Sequence, residues 1–222
     1  MTSIIHRAGI TLFSIALGCC IFFSTASAVD YDRMKEDVLT AIEKKYAGKD
    51  FKADFTQISR LDALDITERA SGSASFSHPG KMKWEYMEPE HHEIITNGKW
   101  LWIFRPQENQ VMKGDAAQFF KSGAGGAFLS DISLVRKNYS ITIKQVTTDY
   151  VAIELVAKKQ TPEISSIVIR ISKKTNEIVR VVSYNPYDDT TLFEFTHIQF
   201  GKIDPEVFEF KAPQGVDIIN MD

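Results

Sequence analysis

Lys99-Trp100-Leu101-Trp102-Ile103-Phe104 is the stretch that decides the fold. With the two-residue period of a strand it sends Trp100, Trp102 and Phe104 to one side and Leu101 and Ile103 to the other. Both sides are therefore apolar. The run Thr191 to Phe200 has the same character, with Phe193 and Phe195 opposite Leu192 and Ile198. A single antiparallel sheet usually buries one face, so a large sheet with two apolar faces must be covered by helices or enclose something. Periodicity alone leaves both open: a packed sheet–helix core or a hydrophobic cavity.

Outward from this stretch the period of two persists. Phe51, Ala53 and Phe55 alternate with polar residues, as do Ala74 and Phe76. Further strands are predicted at Met82 to Tyr86, Glu93 to Thr96, Lys99 to Arg105, Ser140 to Val146, Val151 to Ala157, Ser166 to Ser172, Ile178 to Tyr184 and Thr191 to Phe200. Asn97-Gly98 predicts a two-residue type I′ hairpin, because both residue types accept positive φ. Thr148-Asp149, Lys174 to Glu177 and Tyr187 to Asp189 mark other hairpins, so neighbouring strands run antiparallel. An amphipathic helix is predicted over Asp30 to Lys45, with Met34, Val38, Leu39, Ile42 and Tyr46 as its stripe. Two short helices, Asp115 to Lys121 and Phe128 to Arg136, flank Gly123-Ala124-Gly125-Gly126. The class is α+β, one domain built on a long up-and-down sheet.

The N-terminus is an address. Ala8 to Ser24 carries no charge, and Ala26-Ser27-Ala28 is a small-x-small pattern, which predicts a signal peptide over 1–28 with cleavage after Ala28 and a single domain over 29–222. Leu17-Gly18-Cys19-Cys20 is a poor lipobox, since Cys19 stands where a small residue belongs if Cys20 is the acceptor. Both cysteines fall in this leader, so the mature chain lacks disulfides, thiol chemistry and Cys-ligated zinc. The formal charge of −3 becomes −4 when Arg7 is removed, which argues against nucleic acid as a partner.

Catalytic signals are missing. No G-x-S-x-G, H-E-x-x-H or phosphate-loop pattern occurs. His91-His92-Glu93 does not predict a metal site, because adjacent strand residues face opposite ways. Asp188-Asp189 reads as turn residues, and Asn138-Tyr139-Ser140 matches a glycosylation pattern that matters only in a eukaryotic secretory pathway. No cofactor and no enzymatic activity are expected.

Phe55-Thr56-Gln57, Gly72 to Phe76, Pro79-Gly80-Lys81-Met82-Lys83-Trp84-Glu85-Tyr86, Pro89, Asn97 to Trp102 and Phe208 to Val216 follow one another in an order that resembles the bacterial periplasmic lipoprotein carrier family, LolA. The resemblance covers essentially all of 29–222. It implies an open half-barrel, a large curved antiparallel sheet with a helical lid, whose apolar cavity takes acyl chains. It implies a soluble periplasmic monomer of a Gram-negative bacterium that receives acylated lipoproteins from an inner-membrane ABC release complex and passes them to an outer-membrane acceptor. Residues expected to line the cavity, chosen by face and aromatic content, are Phe55, Phe76, Trp84, Trp102, Phe104, Phe119, Phe120 and Leu129. Where the family has an arginine latch before proline, this chain has His78, a side chain with fewer donors. Met82 corresponds to the residue that the family uses near the release complex. Two rival readings keep the fold and give it another role, one as a carrier of a different envelope lipid or glycolipid, the other as a regulatory module that senses a lipoprotein.

Overall fold

The computed structural model describes residues 26–117, 129, 132, 134–159 and 164–221. In chain order these form α1 (Ala26–Tyr46), β1 (Phe51–Leu61), β2 (Ile66–Ser77), β3 (Lys81–Glu88), β4 (His92–Asn97), β5 (Trp100–Arg105), β6 (Gln110–Asp115), α2 (Leu134–Asn138), β7 (Tyr139–Val146), β8 (Tyr150–Ala157), β9 (Ser166–Ser172), β10 (Ile178–Tyr184), β11 (Thr190–Phe200) and β12 (Asp217–Asn220). The strands make one sheet in the order β12-β6-β5-β4-β3-β2-β1-β11-β10-β9-β8-β7. Two meanders, β1 to β6 and β7 to β11, are thus joined by the pairing of β1 with β11. Every neighbour is antiparallel except β12, which lies parallel to β6. The end strands β7 and β12 do not pair with each other, so the sheet is curved over a core but unclosed.

Registers show which side chains share a face. Phe51 pairs with Phe76, Ala53 with Ala74 and Phe55 with Gly72; Phe76 pairs with Met82, Ala74 with Trp84 and Gly72 with Tyr86. The same face continues through Ile94 and Ile103 on one side and through Val181, Ile169 and Ile153 on the other. It is one uninterrupted apolar surface, the concave one, because α1 packs there. Gly72 lets two strands close up: a Cβ on it would sit 1.9 Å from the carbonyl oxygen of Glu85.

Two expectations about faces need correction. Ile198 lies on the same face as Phe193 and Phe195, because the β1–β11 register slips between Lys52 and Asp54 and His197 adopts φ +49. That extra residue is a β-bulge, which resets the two-residue alternation. Trp102 and Phe104 are not cavity residues. Phe104 pairs with Glu93 and Val111, which puts it on the convex face, where its ring and that of Trp102 meet Phe210 at 5.3 and 6.2 Å. The chain between β11 and β12, with its 3₁₀ turn Pro205–Phe208 carrying buried Phe208, covers part of that face. The second apolar face of β5 is therefore answered by the chain's own C-terminal segment.

Other boundaries also differ. α1 starts at Ala26 rather than Asp30. Gln110 to Asp115 is a strand, formed because it pairs with all six residues of β5. β12 was not expected from the sequence, and its four residues are exposed. In the β4–β5 hairpin only Gly98 has positive φ, +89. Asn97 instead caps the turn, its side-chain oxygen accepting from the N–H groups of Lys99 and Trp100 at 3.0 and 2.9 Å. Of the helix expected over Phe128 to Arg136, only its last three residues coincide with α2, which runs from Leu134 to Asn138; much of its earlier part, and most of the helix expected over Asp115 to Lys121, falls outside the described residues.

Candidate functional site

The concave face has Trp84 near its centre. Its indole contacts Phe55 edge-on at 4.9 Å and Phe76 at 5.4 Å, and lies 5.0 Å from Phe193. The indole N–H donates only to the sulfur of Met82, at 3.4 Å. That a polar group here settles for a thioether shows how dry the region is. Towards β7 the aromatic floor gives way to branched aliphatic residues, Ile153, Leu155, Ile167, Ile169 and Ile178, each no more than 1 % exposed. Among the described residues no buried side-chain nitrogen or oxygen lacks a partner.

α1 and the chain around α2 form the cover. Leu39, Ile42 and Tyr46 point from α1 into the core, and Leu129, Ile132 and Val135 join them. The C-terminal end of α1 is tied to β10: the backbone N–H of Ile178 donates to the Tyr46 phenol oxygen at 2.8 Å, while Lys45 pairs with Glu177 at 3.2 Å and lies over the Phe200 ring. Burial pushes the Tyr46 phenol well above its ordinary range, so it stays neutral. Further along α1 a different device operates. Arg136 donates through Nε to Glu43 at 2.5 Å and through Nη1 to Glu36 at 2.6 Å. These acids are seven residues apart, two helical turns, so one guanidinium spans one face of α1. Hydrogen bonds to the two carboxylates raise the Arg136 pKa.

The face becomes polar at one end. The Tyr86 hydroxyl donates to Gln57 at 2.8 Å, and His92 stacks on the Tyr86 ring at 4.1 Å. Burial lowers the His92 pKa and raises that of Tyr86. Beyond them lies a half-open cavity of about 680 Å³ bordered by Ser59, Glu68, Arg69, Tyr86, His92 and Arg105, among others. Apolar floor, amphipathic step and charged mouth thus follow one another along the same strands.

On the other face, Glu85, His91 and Glu93 are the group among the described residues close enough to share an ion. His91 Nε2 lies 3.8 Å from a carboxylate oxygen of each glutamate. Lys83 already supplies a positive charge, 3.2 Å from Glu93 and 3.8 Å from Glu85. His92 takes no part, since it faces Tyr86.

The sequence-chosen residues therefore separate. Phe55, Phe76, Trp84 and Leu129 come together in the covered core, whereas Trp102 and Phe104 lie on the opposite face. Phe119 and Phe120 lie outside the described residues. Met82 is fully buried beneath Trp84, so no partner surface reaches it in this conformation. His78 is half-buried in the turn after β2. Missed altogether were Arg136, which joins carboxylates 93 and 100 residues away, and the isoleucine wall. The alternation Ile167-Val168-Ile169-Arg170-Ile171 carried a signal for the wall; nothing local carried one for Arg136.

An open antiparallel half-barrel, apolar on its concave face and capped there by a clasped helix, defines a class of lidded sheet proteins. Within it, this chain belongs to the LolA family, outer membrane lipoprotein carrier proteins, whose family profile matches residues 47–211. It is 27% identical over 210 residues to the outer-membrane lipoprotein carrier protein of Nitrosomonas europaea, covering 94% of this chain and 97% of that one. It is 30% identical over 176 residues to that of Chromobacterium violaceum, covering 78% and 82%. Among solved structures it resembles an uncharacterized conserved protein from Thermus thermophilus, with a TM-score of 0.55, 11% identity and coverage of 84% and 98%. It also resembles MucB, with a TM-score of 0.50, 12% identity and coverage of 81% and 64%. These two likenesses concern the fold alone.

Proposed function

We propose that this protein is a periplasmic carrier of lipoproteins that shelters their acyl chains against the concave face beneath α1. In this reading it receives cargo from an inner-membrane ABC release complex and yields it to an outer-membrane acceptor, as a monomer without catalytic activity. The observation that carries the reading is the pairing of one continuous apolar face with a cover held at its far side by Arg136, Glu36 and Glu43. Cleavage after Ala28 leaves Leu39, Ile42 and Tyr46 on the mature helix.

Trp84, Phe76 and Phe55 pack together beneath the cover, so acyl chains enter by displacing α1 and repacking these rings. Each buried CH₂ contributes about 0.8 kcal/mol, hence roughly 12 kcal/mol for a chain of about fifteen. That gain is measured against water, so it keeps the cargo in the carrier across the periplasm, and it exceeds the partly exposed ion pairs of Arg136, worth about 1 kcal/mol. The lipoprotein's polar end then lies towards Tyr86, His92 and the charged mouth. Arg136 takes the latch role that the family resemblance placed at His78.

The test is release of cargo. Purified protein lacking residues 1–28 is incubated with inner-membrane vesicles that hold a triacylated lipoprotein and the release complex. The lipoprotein is expected in the soluble fraction, bound to the carrier. A lipoprotein that stays with the vesicles overturns the reading, and bound glycolipid without lipoprotein, detected by mass spectrometry, replaces it with the rival cargo.

A further inference from the structure

Away from the concave face, two hairpins end side by side. The β1–β2 tip and the β10–β11 tip are joined by a hydrogen bond from the Asp62 backbone N–H to Asp189 Oδ1, 2.9 Å across 127 residues of sequence. Asn185 fixes the second tip, donating to the other Asp189 oxygen at 2.9 Å and accepting from the N–H groups of Tyr187 and Asp189 at 2.8 and 3.0 Å. The paired tips are thus pre-organised, which lowers the entropic cost of binding to them.

What they display is unusual for a turn. Every residue from 61 to 69 is exposed, and Leu61, Leu64, Ile66 and Tyr187 are large apolar side chains, Leu64 at 66% and Tyr187 at 70% exposure. Around them stand four carboxylates, Asp62, Asp65, Asp188 and Asp189, against one guanidinium, Arg60, a net formal charge of −3. That guanidinium is already engaged with Asp62 at 2.9 Å.

We infer that the joined tips are a docking surface for a basic segment of a protein partner that also carries apolar side chains. The charge selects among occupants. An anionic membrane surface is repelled by a net-acidic tip. A second copy that placed the same tip against itself would bring like charges together. A basic protein surface gains on both counts, apolar anchors at the centre and complementary charge at the rim. The surface does not depend on what the concave face carries.

The test uses a fluorescently labelled amphipathic Lys/Leu peptide, its Glu/Leu counterpart, and phosphatidylethanolamine/phosphatidylglycerol vesicles, each titrated with the full mature protein. The Lys/Leu peptide is expected to bind, more weakly as salt rises, and the other two are not. Leu64→Ser with Tyr187→Ser, and separately Asp65→Asn with Asp188→Asn, should each weaken binding by about tenfold or more. All four side chains are exposed, and asparagine keeps the positive φ of positions 65 and 188, so the unfolding midpoint should match wild type and certify the fold. Lipoprotein release by these variants should stay at the wild-type level, which separates this inference from the carrier reading. Peptide binding that both variants leave undiminished overturns it. So does vesicle binding, or a concentration-dependent dimer, that the variants abolish.

Discussion

The Tyr46 phenol oxygen accepts the backbone N–H of Ile178 at 2.8 Å inside the core. The residue that ends α1 is therefore bolted to the first residue of β10, while the middle of the helix is held from outside by Arg136. A helix pinned at one end by a buried bond and elsewhere by partly exposed ion pairs has its weaker attachment away from Tyr46. Tyr46→Phe removes the acceptor and strands a buried N–H, which costs about 1–3 kcal/mol. Equilibrium denaturation in urea should show that loss.

Arg136→Ala should hardly change global stability, by about 1 kcal/mol or less, because its carboxylate partners are partly exposed and screened. It should nonetheless raise uptake of a hydrophobic dye and speed lipoprotein acceptance, since it removes the guanidinium that clasps α1. Added salt should push wild type towards the variant. Equal dye binding by the two proteins would retire Arg136 as a clasp.

Trp84 and Phe104 test the assignment of faces. Trp84→Ala should cost about 3–5 kcal/mol, as expected for a fully buried aromatic. Trp84→Phe should preserve the fold while altering acyl binding. Phe104→Ala should cost about 1–3 kcal/mol and leave lipoprotein release at the wild-type level, because its ring lies against Phe210 on the convex face. Lost release with Phe104→Ala would place the cargo on the other face.

His92 gives a pH signature. Its folded pKa lies below the ordinary 6.5, chiefly through burial. Below pH 6.5 the unfolded chain therefore binds more protons than the folded one, so stability falls as pH falls and levels off once the lowered folded pKa is passed. His92→Gln removes that contribution. The difference between wild type and variant in denaturation midpoint should be constant above neutrality and change only on acidification. Parallel curves throughout would contradict the role of burial at His92.

Much of the sheet was legible because alternation is a local property. The runs at β5, β8, β9 and β10 announce themselves within six to eight residues, and the turns between them carry Asn, Asp or Gly where the backbone needs those residues. Bulges were not legible. One extra residue at His197 moved Ile198 across the sheet, and no composition signal marks where a ladder slips. β6 was hidden because its six residues, with Lys113, Gly114 and Asp115 at the end, resemble a strand only when β5 lies beside them.

The candidate site divides in the same way. The apolar content that became the concave floor, Phe51, Phe55, Phe76 and Trp84, was determined by the sequence, since residues two apart on a strand must share a face. Which of the two apolar faces α1 covers was decided only in three dimensions. β5 offers Trp102 and Phe104 on one side and Leu101 and Ile103 on the other, and local pattern treats the sides alike. The choice fell to long-range contacts: α1 laid Ile42 and Tyr46 against one face, and Phe208 and Phe210 settled on the other. The Arg136 clasp belongs to the same category, because a charge pair between residues a hundred positions apart exists only once the chain has folded.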